Sequence, residues 1–343
     1  MKVNKTKLII SIIMVVALLS SLYGCANKKD DKVSNKQVII RMTHTQQPDS
    51  ISDKTAKEFQ RLVSEKSNNH IHVEIYQNCG LSGGDLTKAI ELVQAGNIDI
   101  HACAPPNIAN YDSRFYAFWL PYMFENTEDL VKFCNNDNVK REINNWCNDL
   151  EMEMLGLNSA GARQISSNIE IKSPEDLKGL NIRVPGANVF INLYKEYFHA
   201  NPTAMDFSEV YTALQQGTID GQENPIAVFE SSKFSEVQKN ILMWDGIQDT
   251  NIWLMSQKTL DKLPKKDVDI IKQSATEALN WGDEYLSQNE KELIKGLEEK
   301  GVKFTFLNEE EKQRFKDVSE KMVNSYGKII GKDVVELFRN HEN

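Results

Sequence analysis

The sequence Gln94-Ala95-Gly96-Asn97-Ile98-Asp99 recurs in looser form as Gln215-Gln216-Gly217-Thr218-Ile219-Asp220. Each copy follows a segment whose apolar residues have helical spacing, and each passes through glycine into an Ile-Asp pair. Glycine suits the left-handed residue that ends many helices, and the Ile-Asp pair then begins a strand. Two such helix–glycine–strand units predict a protein of two similarly built lobes.

The residues around the first copy have the same α/β construction. Strand-like and helix-like periods alternate along them, in the order strand (38–44), helix (56–63), strand (71–76), helix (86–93) and strand (98–102). The body of the chain is a little over 300 residues, which is more than one hydrophobic core comfortably serves. We therefore expect two α/β lobes rather than one.

One long helix is predicted near the end of the chain. Residues 265–300 contain no proline, keep a helical pattern of apolar side chains and end at Gly301. At 1.5 Å per residue such a helix is roughly 50 Å long, so it would run along both lobes as a spine. The alternative is two helices broken near Gly282. A strand at 302–307 and amphipathic helices from Glu309 to the end follow.

The N-terminal residues have the order of an export signal. Three lysines precede the apolar run Leu8–Leu22, and Tyr23-Gly24-Cys25 follows at once, which resembles the bacterial lipobox. We expect a lipoprotein signal peptide at 1–24, a lipid on Cys25 and a flexible tether at 25–36; an uncleaved N-terminal anchor is the alternative. Either arrangement leaves the body outside the cytoplasm.

Charge and cysteine content restrict the partners. The formal net charge of −9 becomes −12 when the three signal lysines are removed, which argues against a nucleic acid partner but not against a small anion in a local arginine pocket. Beyond Cys25 the cysteines are Cys79, Cys103, Cys134 and Cys147, with no C-x-x-C pair and no histidine at metal-ligand spacing. We expect no metal and no cofactor; free thiols and one or two disulfides both remain open.

Enzyme motifs are mostly absent. The chain has no G-x-S-x-G, no H-E-x-x-H, no Walker loop and no G-x-G-x-x-G after a strand, so we expect no catalytic residues. Two residues are candidate ligand contacts because of their positions. Asp85 precedes a helix and either caps it or meets ligand, and His44 ends the first strand, where α/β sheets bind ligands.

Two arginines stand in unusual settings. Arg163 lies in a small-residue stretch after the predicted strand 152–157, and Arg183 lies inside the predicted strand 180–185 among apolar neighbours. A guanidinium matches a carboxylate bidentately, so a buried arginine suits a carboxylate ligand. An internal salt bridge with one of the 49 acidic residues is the alternative. Farther on, Ser208 is placed to cap a helix and Asn224 precedes a proline as a turn former.

Four motifs together resemble the extracytoplasmic solute receptors of tripartite ATP-independent (TRAP) transporters, of the C4-dicarboxylate and sugar-acid type. They are Gly161-Ala162-Arg163-Gln164, the segment from Asp176 to Pro185, the segment from Phe207 to Gln215, and Asp220-Gly221-Gln222-Glu223-Asn224-Pro225. The resemblance implies a two-lobed periplasmic-binding-protein-like α/β fold with a hinge cleft and a spine helix. It places lobe I at 37–160 plus about 250–289, and lobe II at 161–249 plus about 290–343.

The resemblance also implies roles for site residues. Arg183 is expected to form the salt bridge to the ligand carboxylate, with Arg163 as a second cationic donor. Asn224 would bond the same carboxylate or a neighbouring hydroxyl, and Phe207 would form an aromatic wall. The motifs look closest to sialic-acid receptors, but residues 101–105 lack the acidic residue expected there. A hexuronate or aldonate is therefore preferred, with sialic acid and C4-dicarboxylates as alternatives.

The expected partners follow from the same resemblance. They are a small organic acid and the membrane subunits of a TRAP transporter, with the receptor itself a monomer. Two rivals from other classes stay open: a receptor for an ATP-driven importer, and a secreted enzyme acting on uronate polymers.

Overall fold

The computed structural model describes residues 37–339; the predicted signal peptide, the predicted tether and Cys25 lie outside the described residues. The strands are β1 Val38–His44, β2 Ile71–Tyr76, β3 Ile100–Cys103, β4 Met152–Ser167, β5 Asn181–Val184, β6 Asn201–Ala204, β7 Gly221–Pro225, β8 Asn240–Ser256 and β9 Lys303–Phe306. The helices are α1 Ile51–Lys66, α2 Leu86–Ala95, α3 Thr127–Asn135, α4 Asp137–Asn148, α5 Asn188–Asn192, α6 Val210–Gln215, α7 Ile226–Ser231, α8 Gln257–Leu260, α9 Lys265–Glu299, α10 Glu309–Ile330 and α11 Lys332–Arg339.

Two strand groups are joined by two long strands. On one side β1 runs parallel to β2 and β3; on the other β5 runs parallel to β6 and β7. The long antiparallel strands β4 and β8, hereafter the crossing strands, lie between them in the order β2-β1-β3-β8-β4-β7-β5-β6, and β9 pairs with β8. This arrangement confirms the α/β class with two lobes joined by crossing segments.

The crossing strand β4 is longer than the sequence predicts. The sequence predicts a strand at 152–157 and a small-residue stretch carrying Arg163 after it, but β4 continues through that stretch to Ser167. Residues 158–167 are buried without a break, so both faces of the strand are covered and no alternation marks it. The predicted end of this strand at residue 157 was therefore wrong.

The pairing of the crossing strands is irregular at three points, and the middle one lies beside the predicted lobe boundary. The register between β4 and β8 shifts between Ser159 and Gly161, opposite Thr250 and Asp249. Gly161 has φ +93°, a conformation that glycine adopts readily, and Asp283 of α9 accepts a hydrogen bond from the Ser159 backbone N–H at 2.8 Å. The lobe boundaries at 160/161 and 249/250 stay predictions.

The spine helix is a single helix. α9 runs unbroken through Gly282, so the two-helix alternative was wrong. A Cβ at Gly282 would lie 2.7 Å from Thr55 Oγ1 of α1, so this glycine allows α9 to pack closely against α1. The same helix contacts α1, which packs on β2, and α7, which packs on β7, and thus helices of both strand groups.

Three further sequence predictions concern Gly96, Ser208 and the cysteines. Gly96 ends α2 with φ +77°, as predicted. Ser208 does not sit at a helix N-cap, because it lies inside the short 3-10 turn Phe207–Glu209 that precedes α6. Cys79, Cys103, Cys134 and Cys147 are buried free thiols, so the disulfide alternative was wrong among the described residues.

Candidate ligand-binding cleft

A cleft lies where the two strand groups face each other. Its polar walls are Gln46, Asn107, Arg163, Arg183, Asn224 and Asp249, and its apolar walls include Trp119 and Phe207. The empty space between these side chains, counting the part open to solvent, is about 540 Å³. The part of this space that a water-sized sphere can occupy is about 70 Å³, so the two walls of the cleft lie close together.

Arg183 is a buried cation without an acidic partner. Its side chain projects from β5, only 3% of the residue is exposed, and its Nε and Nη2 donate to the backbone oxygen of Met205 at 3.1 and 2.9 Å. No carboxylate of residues 37–339 forms a salt bridge with it. Burial lowers the pKa of Arg183 to about 10, although the negative charge of Glu223 opposes this effect. The internal salt-bridge alternative is therefore not found, and the guanidinium is left to attract an anion.

Arg163 has the opposite character. It forms salt bridges with Glu223 of β7 and Asp249 of β8, and its Nη2 also donates to the Glu223 backbone oxygen at 3.0 Å. Its guanidinium lies 5.2 Å from the Trp119 ring centroid and 5.1 Å from that of Phe190. Burial alone would lower the pKa of Arg163, but attraction to the two carboxylates outweighs it and raises the pKa. Arg163 lines the cleft with two carboxylates bound to it, so its positive charge is more than balanced.

Asn224 and Phe207 line the cleft together with the two arginines. Asn224 Oδ1 accepts from Arg163 Nη2 at 3.3 Å, and its Nδ2 donates to Gln222 Oε1 at 2.5 Å. The Phe207 ring centroid lies 5.7 Å from the Arg183 guanidinium, within the range of a cation–π contact. All four residues implied by the family resemblance thus line one cleft.

His44 and Asp85 lie outside the cleft lining. His44 is fully buried, with Nε2 3.4 Å from Asp53 Oδ1 and Nδ1 accepting from the Gln46 backbone N–H at 3.3 Å. Asp85 caps α2 by accepting from the Lys88 N–H at 2.9 Å, which is the cap that the sequence also allowed. The segment that follows β1 does line the cleft, as expected for the end of a strand in an α/β sheet, but it does so through Gln46 rather than His44.

A second groove is wider but lacks such a cation. It is lined by Tyr122, Asp245 and Glu290 among others, and its two lysines, Lys312 and Lys316, are not buried. A carboxylate gains most from a cation that is already removed from water. The cleft around Arg183 is therefore the stronger candidate site for an anion.

Residues 37–339 contain neither a metal-binding cluster nor a membrane-spanning helix. No cluster of three or more His, Cys, Asp or Glu side chains in this part of the chain is arranged to hold a metal ion. None of the helices described there combines the length and apolar character needed to cross a bilayer.

The sequence is similar to those of known proteins. The family model for bacterial extracellular solute-binding proteins of family 7 matches residues 42–328. The sialic acid-binding periplasmic protein of Vibrio cholerae is 28% identical over 301 residues, covering 88% of this chain and 92% of its own.

Solved structures have the same fold. The sugar acid binding protein of Advenella mimigardefordensis with galactonate is 27% identical and has a TM-score of 0.84, over 89% of this chain and 97% of that one. A TRAP periplasmic solute binding protein of Sulfurospirillum deleyianum with bound succinate is 26% identical, with a TM-score of 0.82 over 88% and 98% of the chains. The ligands named for these three proteins are all carboxylic acids.

Proposed function

Since this chain belongs to the bacterial extracellular solute-binding proteins of family 7, the receptors of TRAP transporters, we propose that it captures a small sugar acid by its carboxylate and delivers it to the transporter's membrane subunits. Members of this family are extracytoplasmic, substrate-binding receptors rather than enzymes. We propose the same for this chain: binding without catalysis, by a monomer.

The observation that carries the proposal is the buried, unpaired guanidinium of Arg183. A buried charge with no carboxylate in direct contact is costly, and a carboxylate in the cleft supplies that contact. Hydrogen bonds to charged groups contribute about 1.5 to 3 kcal/mol each in net terms. A ligand carboxylate is the partner that this geometry best accommodates.

The charges beside Arg183 favour an acid with one carboxylate. Arg163 is held by Glu223 and Asp249, so the two arginines and two carboxylates already sum to zero before ligand enters. A monoanion adds one negative charge to this buried group, whereas a dicarboxylate adds two. Amide side chains such as Asn107 suit hydroxyl groups. Both features support an aldonate or hexuronate over a C4-dicarboxylate; sialic acid stays the alternative among monoanions.

A thermal-shift panel tests the ligand class. D-galactonate, D-galacturonate, N-acetylneuraminate and succinate are added separately to the purified protein. A ligand at 100 times its Kd stabilises the folded protein by about 2.7 kcal/mol, and we expect an aldonate or hexuronate to give the largest rise in Tm. A larger rise in Tm with succinate would indicate a dicarboxylate receptor instead. If neither these acids nor a wider set of acids raises Tm, the proposed function is wrong.

We propose, from the sequence alone, that a lipid on Cys25 holds the receptor at the membrane surface. Cell fractionation tests this part. The wild-type protein should sediment with membranes and Cys25→Ala should be recovered with the soluble extracytoplasmic proteins. Equal membrane association of both would favour an uncleaved N-terminal anchor.

A further inference from the structure

Gln46 has a buried side-chain oxygen with nothing bound to it. The residue follows β1 and lines the cleft. Its Oε1 is buried and has no hydrogen-bond partner within residues 37–339. Among the described residues that line the cleft, Gln46 alone carries such a buried, unpartnered side-chain oxygen or nitrogen. Buried polar groups are almost always satisfied, so this exception needs an explanation.

From this we infer that Gln46 recognises a hydroxyl group of the bound acid and thereby selects hydroxylated acids over plain ones. The inference rests on the proposed function, because it takes the carboxylate of the same ligand to lie at Arg183. It adds a second contact, contributed by the strand group of β1 to β3, to the contacts that Arg183 and Asn224 contribute from the other side.

The backbone of Gln46 is fixed before any ligand arrives. Its N–H donates to His44 Nδ1 at 3.3 Å, and its carbonyl oxygen accepts from the Asn78 N–H at 3.1 Å. The His44 ring is held in turn by Asp53, whose Oδ1 also accepts from Gln77 Nε2 at 2.9 Å. His44 is thus a positioning residue: it fixes the start of the Gln46 side chain without touching the ligand.

The chemistry of an amide favours a hydroxyl as its partner. A hydroxyl both donates and accepts, so it can bond the amide through the oxygen or through the NH₂ group. A carboxylate oxygen only accepts, so it cannot satisfy Oε1. An acid that places a hydroxyl at Gln46 therefore satisfies the buried oxygen, and a plain dicarboxylate that places its second carboxylate there does not.

The test compares Gln46→Met with Gln47→Met. Methionine keeps the approximate length of the side chain and removes the amide. Gln47 is the matched control, because it is the neighbouring residue and lies outside the lining of the cleft; its Oε1 accepts from Asn78 Nδ2 at 3.1 Å. Affinities for D-galactonate, D-galacturonate and succinate are measured by calorimetry on the wild-type protein and both variants.

We expect Gln46→Met to weaken binding of the hydroxylated acid by about tenfold or more, as for loss of a specific hydrogen bond. Gln47→Met should stay within about twofold of wild type by the same measure. Monodeoxy derivatives of the bound acid sharpen the result: the one lacking the recognised hydroxyl should bind wild type and Gln46→Met equally, which a purely structural role of Gln46 would not produce.

The possible results distinguish a failure of this inference from a failure of the proposed function. If Gln46→Met binds the hydroxylated acid as wild type does, Gln46 has no part in selection, while the receptor function stands. If only succinate binds the wild type, selection of hydroxylated acids is wrong, although the carboxylate site stands. If no acid binds at all, the proposed function fails and this inference with it.

Discussion

Arg183→Met is expected to lower the affinity for the acid ligand by at least about 2 kcal/mol, roughly 30-fold or more, the range for stripping one partner from a buried charge pair. The bound ligand keeps its shape complementarity to the cleft but loses the only described cation there without an internal carboxylate partner. Its carboxylate would then be buried beside Asp249 without compensation.

The same substitution should not destabilise the free protein. Arg183 is buried and donates only to the Met205 backbone oxygen, and replacing an unpaired buried charge with an apolar side chain of similar length removes a desolvation cost. We therefore expect the urea midpoint of ligand-free Arg183→Met to equal or exceed that of wild type.

Calorimetry and urea unfolding on the same preparations check both halves. Arg183→Lys is the control, because it keeps the charge but loses the planar fork that matches a carboxylate, and its affinity should lie between those of wild type and Arg183→Met. Unchanged affinity of Arg183→Met for the acid would remove Arg183 from its role. A large loss of stability without ligand would mean that Arg183 is structural.

Arg163→Met should have the opposite profile, a loss of at least about 3 kcal/mol in the free energy of unfolding. The substitution leaves Glu223 and Asp249 buried and without their cation; Glu223 is 1% and Asp249 5% exposed. It also removes the guanidinium that packs against Trp119 and Phe190. We thus expect Arg183 to contribute to ligand affinity and Arg163 to the stability of the fold.

A triple variant, Arg163→Met with Glu223→Gln and Asp249→Asn, distinguishes charge from packing. Removing all three charges avoids uncompensated burial, so it should recover a large part of the stability lost in Arg163→Met. Chemical denaturation of the ligand-free proteins provides the comparison. If the single substitution costs less than about 1 kcal/mol, as exposed pairs do, the buried triad is not what holds β4, β7 and β8 together.

The fold was largely predictable where one face of an element is covered. β1 and β2, α1 and α9 keep clear periods of two or 3.6 residues, and Gly96 marks the end of α2. The crossing strand β4 was not predictable beyond residue 157, since burial on both faces erases alternation. Gly282 suggested a helix break that does not exist. Glycine is needed there because α9 approaches Thr55 closely, and the local sequence does not reveal that contact.

The site was predictable in part. The sequence, together with the family resemblance, brought Arg163, Arg183, Asn224 and Phe207 to one cleft. It did not separate the two arginines, because the carboxylates that pair with Arg163 lie 60 and 86 residues away along the chain. That Gln46 reaches the cleft while His44 turns inward depends on the contacts of the loop after β1, and periodicity carries no information on such contacts.

The most direct test of the account is a crystal structure of the protein with the acid that stabilises it most in the thermal-shift panel. The account predicts a carboxylate in the cleft within hydrogen-bonding distance of Arg183, with Arg163 still paired to Glu223 and Asp249. A carboxylate bound elsewhere, or an internal carboxylate paired with Arg183 while the ligand is present, would contradict it.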